Sequence, residues 1–159
     1  MTEDEFAALY DATAGPVWRY LSRVSRRRDV ADDLLQEAYL RFLSSQRTDL
    51  SAVEAKLYLF RIASNLLHDR WRRREDLKGE LEPEGDLVVT TADSTVDALR
   101  VLERLKPRSR ELLCLAYLEG MTHREIAQIT GLNALSVRVL LSRARVEALK
   151  LMEPKRDNR

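Results

Sequence analysis

The chain is poor in the residues that build loops, covalent cross-links and membrane spans. Its 159 residues include five glycines, four prolines and a single cysteine. So few turn-formers exclude a loop-rich all-β design, a collagen-like chain and a Pro/Gly-rich disordered one. Cys114 has no partner for an internal disulfide, which points to a reducing compartment. No apolar run approaches the ~20 residues of a membrane span. The acidic start MTEDEF is unlike a signal peptide, so a cytoplasmic protein without membrane insertion is expected. The two histidines, His68 and His123, lie far apart in the sequence. No Cys/His spacing fits zinc and no Gly-rich loop fits a phosphate, so neither a metal nor a cofactor is expected. Cys114 sits in the apolar run ELLCLAYL and reads as core. Adjacent His68 and Asp69 point in different directions on a helix. Nothing here makes an enzyme.

Net charge of one sign is also missing, although charge itself is abundant. Asp, Glu, Lys and Arg make up 33% of the chain, against about 25% in an ordinary domain, yet the formal total is only +1. That balance alone argues against a polyanionic partner, but its distribution reverses the inference. Residues 1–74 carry 13 basic and 11 acidic groups, and residues 96–159 carry 13 and eight. Between them, residues 75–95 hold seven acids and one lysine, a net charge of −6. This middle block also contains Gly79, Pro83 and Gly85 and lacks helical periodicity. It reads as a flexible acidic linker between two basic units.

Both units read as helical, so the expected fold class is all-α, two small helical domains joined by that linker. In the first, a helix from near Thr2 to Ala14 is expected to break at Gly15-Pro16. A second follows from Pro16, well placed in a first turn, to about Val24. A third spans about Asp29 to Ser44, with Asp29, Asp32 and Asp33 where the helix dipole favours acids. Its apolar stripe is Leu34, Leu35, Ala38, Tyr39 and Phe42. A fourth covers about Val53 to Arg74, with Leu59, Ile62, Ala63 and Leu66 on one face and HDRWRRR at its end. In the second unit a helix after Ser94 runs to about Leu105, and Pro107 starts another that ends at Gly120, a left-handed cap. Thr122 and Glu125 form a capping box. The short helix they open stops at Gly131, and Asn133 caps a longer basic helix from Ala134 to about Leu151. A short helix, a glycine turn and a longer basic helix make a helix-turn-helix signature. Ile126, Ile129, Val137, Leu141 and Ala144 supply its packing, with Ala127 where the helices approach.

Three segments carry a resemblance. DVADDLLQEAYLRFL (29–43) resembles the D-A-E-D-L-V-Q-E-T-F-L-R signature in the second conserved region of sigma factors. YLFRIASNLLHDRWRRR (58–74) resembles the W-L-Y-R-I-A-R-N-L-A-L-D-R-L-R-R-R stretch that follows it. LKPRSRELLCLAYLEGMTHREIAQITGL (105–132) resembles the fourth region, L-P-x-R-x-R-E-x-L-x-L-x-Y-L-E-G-L-S-x-x-E-I-A. The chain as a whole resembles an extracytoplasmic-function (ECF) sigma factor, which keeps only these two regions. The resemblance implies a protein that binds core RNA polymerase, recognises promoter −10 and −35 elements, assists melting and directs transcription initiation. It assigns residues 1–74 to polymerase and the −10 element, 75–95 to the linker, and 96–159 to the −35 element.

Each face then has expected contacts. Asp33, Gln36, Glu37 and Arg41, opposite the apolar stripe, are implied to meet the clamp coiled coil of the polymerase's largest subunit. Asn65, His68, Asp69, Arg70, Arg72, Arg73 and Arg74 are implied to meet the −10 element. Asn65 suits a base edge, and the arginines suit phosphates, which supply affinity without sequence information. The loop 45–56 is expected to shape a pocket for a flipped base. Tyr58 and Trp71 read either as stacking platforms or as core. In the second unit Arg124, Ser136, Arg138, Ser142, Arg143 and Arg145 are the −35 candidates.

The recognition helix departs from the family's S-x-G-T-V-K-S-R-L-x-R-A-R. Here it reads NALSVRVLLSRAR, and the groove-facing stripe is Leu135, Arg138, Val139 and Ser142, with Leu140 on the flank. Only Arg138 and Ser142 can hydrogen-bond base edges, while leucine and valine meet thymine methyls. A narrow or weak −35 readout follows, or else the apolar surface packs against a partner such as an anti-sigma factor. The corresponding family linker threads the polymerase's RNA channel, so the −6 block is expected to act there as a mimic of RNA. The competing reading of the chain is a sigma-like decoy that sequesters an anti-sigma factor without directing transcription. The basic HDRWRRR tail and the intact Gln36-Glu37 pair favour the initiation factor.

Overall fold

The computed structural model of the chain describes residues 1–47, 49–76 and 93–153, and among them seven α-helices and no strand. Helix α1, Glu3–Ser25, opens on a capping box: the Thr2 hydroxyl accepts from the Glu5 N–H and the Glu5 carboxylate accepts from the Thr2 N–H. Contrary to the expected break, α1 runs straight through Gly15-Pro16. A proline inside a helix forfeits one backbone bond and costs about 3 kcal/mol. The buried face crosses it without interruption, through Leu9, Thr13, Val17, Tyr20, Leu21 and Val24. Burying Val17 and Leu21 alone returns about 1.5–3 kcal/mol each, so tertiary packing overrides the local signal. Thr13 donates to the Leu9 carbonyl (2.7 Å), leaving its oxygen to accept from the Tyr39 hydroxyl (2.5 Å).

Helix α2, Arg28–Ser44, lays Ala38, Tyr39 and Phe42 on α1 and on α3, Ala52–Asp76. Leu34 and Leu35 are only partly buried at the edge of that core. The Trp18 indole donates to Asp32 (2.8 Å) and ties α1 to α2. On α3 the expected stripe of Leu59, Ile62, Ala63 and Leu66 is buried. The expected linker lies largely outside the described residues, since α3 extends to Asp76 and α4, Asp93–Arg104, begins at Asp93.

Helix α5, Pro107–Leu113, starts at its proline and continues into a π-helical turn, Cys114–Leu118. Gly120 follows in the left-handed region (φ 64°), as does Gly131 (φ 78°). Between them Thr122 and Glu125 form the expected capping box of α6, His123–Thr130. Asn133 accepts from the Ser136 N–H (2.8 Å) at the start of α7, Ala134–Met152. Ile126, Ile129, Val137, Leu141 and Ala144 are all buried between α6 and α7, as the sequence pattern requires of a helix-turn-helix.

Residues 110–115 are buried without exception, including Arg110 and Glu111. A helix buried all round is a central helix: α5 touches α7 on one side and α1 on the other. Likewise α6 packs along α3, so the two helical units share one continuous core. Cys114 is part of it, and burial pushes its thiol up to about 12. Only the thiolate is an effective nucleophile, so native protein is expected to resist a thiol-labelling reagent at neutral pH and to react fully once denaturant unfolds it. Rapid labelling of the folded chain would contradict this placement.

Candidate functional site

Three surfaces and one buried cluster hold the candidate residues. On α2, Asp33, Gln36 and Arg41 are exposed and Glu37 partly so. The Arg41 guanidinium donates to Glu37 (3.0 Å), an i,i+4 pair that fixes both side chains along the helix. The same face carries Leu40, at the leucine of the quoted signature, and Leu43, neither of them among the expected contacts. Leu40 is 60% exposed and Leu43 is exposed beside it. Leu40 lies four residues after Gln36 and three after Glu37, which places it between them on the surface. A large apolar side chain at that register, off the buried stripe, is the sequence signal that marks it.

On α3, Asn65, Arg72 and Arg73 are exposed, while His68, Asp69, Arg70 and Arg74 are partly buried. Asp69 pairs with Arg72 one turn on. Arg61 is exposed four residues before Asn65. It extends the row Asn65, Asp69 and Arg72 by a turn and is absent from the contacts expected of the sequence. Tyr58 and Trp71 both pack partly buried against the core. The Tyr58 ring sits 5.8 Å from Phe42, with the Arg47 guanidinium over its face at 5.1 Å. The loop before α3 is shorter than expected, because the Ser51 hydroxyl accepts from the Glu54 N–H and residues 52–56 are already helical. A cavity of about 430 Å³ opens beside it, lined by Met1, Phe42, Leu43, Gln46 and Arg47.

On α7, Leu135 (72% exposed), Arg138, Val139 (43%) and Ser142 form one exposed stripe, continued by exposed Val146 and Leu149. Arg143 and, on α6, Arg124 are exposed, and Ser136 is half-buried. Arg145 donates to the Tyr117 hydroxyl (2.9 Å) and so leans toward the π-helical turn after α5.

His68 is drawn elsewhere. Its Nε2 lies 2.8 Å from the carboxylate of Glu111, whose side chain is fully buried. Tyr20 Oη (2.8 Å) and Ser64 Oγ (2.6 Å) donate to the same carboxylate, with Arg108 Nη1 at 3.3 Å. Arg108 also lies 3.1 Å from Nε2. A carboxylate can only accept, so the Nε2 proton belongs to the Glu111 bond. Burial pushes the Glu111 carboxyl upward, but the bonds from His68, Ser64 and Tyr20 outweigh it and leave it below its ordinary value. Burial and the neighbouring carboxylate hold the Tyr20 phenol well above its own. The group is therefore an ionised carboxylate with neutral Tyr20 as donor. A lowered folded carboxyl stabilises fully above its unfolded pKa and is lost as pH falls through the folded one. Glu111→Ala is expected to destabilise the chain by about 3 kcal/mol at neutral pH. In denaturant titrations the gap to the unmutated protein should narrow only below the ordinary carboxylate value of 4.5; a gap that widens there would contradict the assignment.

Comparison with known proteins points the same way along most of the chain. The family model "Sigma-70 region 2" matches residues 9–76 and "Sigma-70, region 4" matches residues 95–147. The ECF RNA polymerase sigma factor SigL of Mycobacterium tuberculosis is 30% identical, over 91% of this chain and 86% of its own length. The ECF RNA polymerase sigma factor BldN of Streptomyces coelicolor is 29% identical over 89% of this chain, which spans only 58% of BldN. Among solved structures, the sigma factor RpoE of Bartonella quintana, in complex with the anti-sigma factor NepR, shares the fold with a TM-score of 0.75. At 20% identity it covers 97% of this chain and 98% of RpoE. Among the described residues, no helix is long and apolar enough to cross a membrane.

Proposed function

The chain belongs to the sigma-70 family and within it to the ECF sigma factors, and on that premise we propose that it binds core RNA polymerase, reads promoter −10 and −35 elements, assists their melting and directs initiation. Residues 1–74 take the polymerase and the −10 element, residues 96–159 the −35 element, and residues 75–95 join them. The observation that carries this reading is the row of exposed Arg61, Asn65 and Arg72, with partly buried Asp69 between them, on α3. An amide able to pair with a base edge is flanked there by guanidiniums suited to phosphates. Arg70, Arg73 and Arg74 add charge around the same helix end, and His68 joins them once freed from Glu111. The polymerase clamp coiled coil is assigned to Asp33, Gln36, Glu37 and Arg41, with Leu40 and Leu43 as the apolar centre of the surface. The −35 element falls to Arg138 and Ser142 for bases and to Arg124, Ser136, Arg143 and Arg145 for phosphates. The reading is of a binding protein and not of an enzyme.

The long apolar stripe on α7 favours one more partner. Leu135, Val139, Val146 and Leu149 are all exposed along it, a row of apolar side chains that suits an anti-sigma factor covering this helix. Run-off transcription with purified chain and core polymerase tests the main reading. Promoter-specific transcripts are expected. Anti-sigma binding without any transcript would instead establish the decoy.

A further inference from the structure

The Glu111 cluster joins residues that no single helical unit needs to join. Tyr20 lies on α1, Ser64 and His68 lie on α3, and all three donate to a carboxylate on α5. The neighbouring Arg110 reaches back across the same seam to the Val24 carbonyl (2.7 Å). The helix-turn-helix unit is thereby bolted to the unit that carries the −10 row. A buried carboxylate adds little over an apolar residue of similar size and is costly as soon as its donors leave. Its distinctive property is orientation: the bonds are satisfied in one docking geometry of the two units.

That geometry conflicts with the proposed function. Elements centred near −10 and −35 lie about 25 base pairs apart, on the order of 85 Å at 3.4 Å per base pair. The described residues pack into a body only about 40 Å across. The packed units cannot sit on both elements at once, so they must separate along the seam that Glu111 closes. His68 belongs to both states, bonded to Glu111 in one and assigned to the −10 element in the other.

We propose that Glu111 is an autoinhibitory latch: in the free chain it holds the two DNA-reading units closed and occupies His68, and polymerase and promoter gain the open state by breaking its bonds. This inference rests on the reading of the chain as an initiation factor. Because only the open state is competent, apparent affinity is reduced by the fraction of open molecules. Weakening the latch therefore tightens binding while it loosens the free protein, a combination that simple loss of stability does not produce.

Glu111→Gln and Tyr20→Phe alter opposite sides of the seam and leave the assigned contact residues in place. Small-angle X-ray scattering of each full chain is expected to show a larger radius of gyration than the unmutated protein, with helix content by circular dichroism unchanged. Binding of the polymerase complex to promoter DNA that carries both elements is expected to tighten by up to about tenfold, the effect of one charge-assisted hydrogen bond. Scattering profiles identical to that of the unmutated chain for both variants would overturn the latch, as would weaker promoter binding by the polymerase complexes of both. If Glu111→Gln does not fold, Tyr20→Phe and Ser64→Ala carry the same comparison. Failure of the initiation reading is separable: it appears as absent run-off transcription by the unmutated chain, whatever the scattering shows.

Discussion

Leu40→Glu is expected to weaken binding to core RNA polymerase by about 30-fold or more and to abolish run-off transcription at limiting protein, without lowering the melting temperature. Leu40 is 60% exposed on the outer face of α2, surrounded by Asp33, Gln36, Glu37 and Leu43. An exposed leucine set among polar groups is the form of a docking hot spot, where an apolar anchor is desolvated inside a polar rim. A carboxylate there must be dehydrated on docking with no partner provided, at a cost of about 2–5 kcal/mol, and 2 kcal/mol is already about 30-fold. The fold should not notice, because the side chain lies outside the core and glutamate is as good a helix former as leucine. Glu37 and Arg41 already neutralise one another, so Glu37→Ala is expected to cost less and mainly to slow association. Equal binding by Leu40→Glu and the unmutated chain in a titration with core polymerase would remove α2 as the docking surface.

The contrast between Leu40 and Glu111 marks what the sequence makes legible. Signals that act within one turn of helix are plain in it: the Thr122 and Glu125 box, the left-handed Gly120 and Gly131, and the Asn133 cap all involve residues at most three or four apart. The stripes of α2, α3, α6 and α7 are equally plain, since helical period alone fixes which side chains share a face. Pro16 is misread because the force that keeps α1 whole is packing against α2 and α3, which no local pattern contains. Glu111 is invisible for the same reason on a larger scale. In the string PRSRELL its charges look like a solvated first turn, yet its donors Ser64 and Tyr20 stand 47 and 91 positions away in the chain. The candidate site divides along the same line. The exposed members of each face follow from periodicity, whereas the capture of His68 requires knowing that the two units pack together. Leu40 is legible in principle, because it breaks the apolar stripe, but an apolar residue is easily counted with its buried neighbours.

On α7, Arg138→Ala is expected to remove protection over the −35 element in a footprint of the polymerase complex while leaving the −10 region protected. Val137, Leu141 and Ala144 turn one side of the helix into the core, so Leu135, Arg138, Val139 and Ser142 must face outward together. Within that stripe Arg138 is the one guanidinium, and a guanidinium is the group best shaped to take two acceptors on a guanine edge. Its removal should cost about 1–3 kcal/mol at the position it reads, a large share of a readout that has only Ser142 besides. Ser142→Ala takes away a single weaker hydrogen bond and should act in the same direction with a smaller effect. Arg143→Ala offers the opposite signature: taking a guanidinium away from a phosphate weakens binding to every sequence alike and reduces its salt dependence by about one unit of slope. Leu135 and Val139 then decide between the two uses of the helix. If they lie against thymine methyls, Leu135→Ser lowers −35 affinity in proportion to the thymines present. If they lie under an anti-sigma factor, the same change leaves the footprint intact and releases the partner.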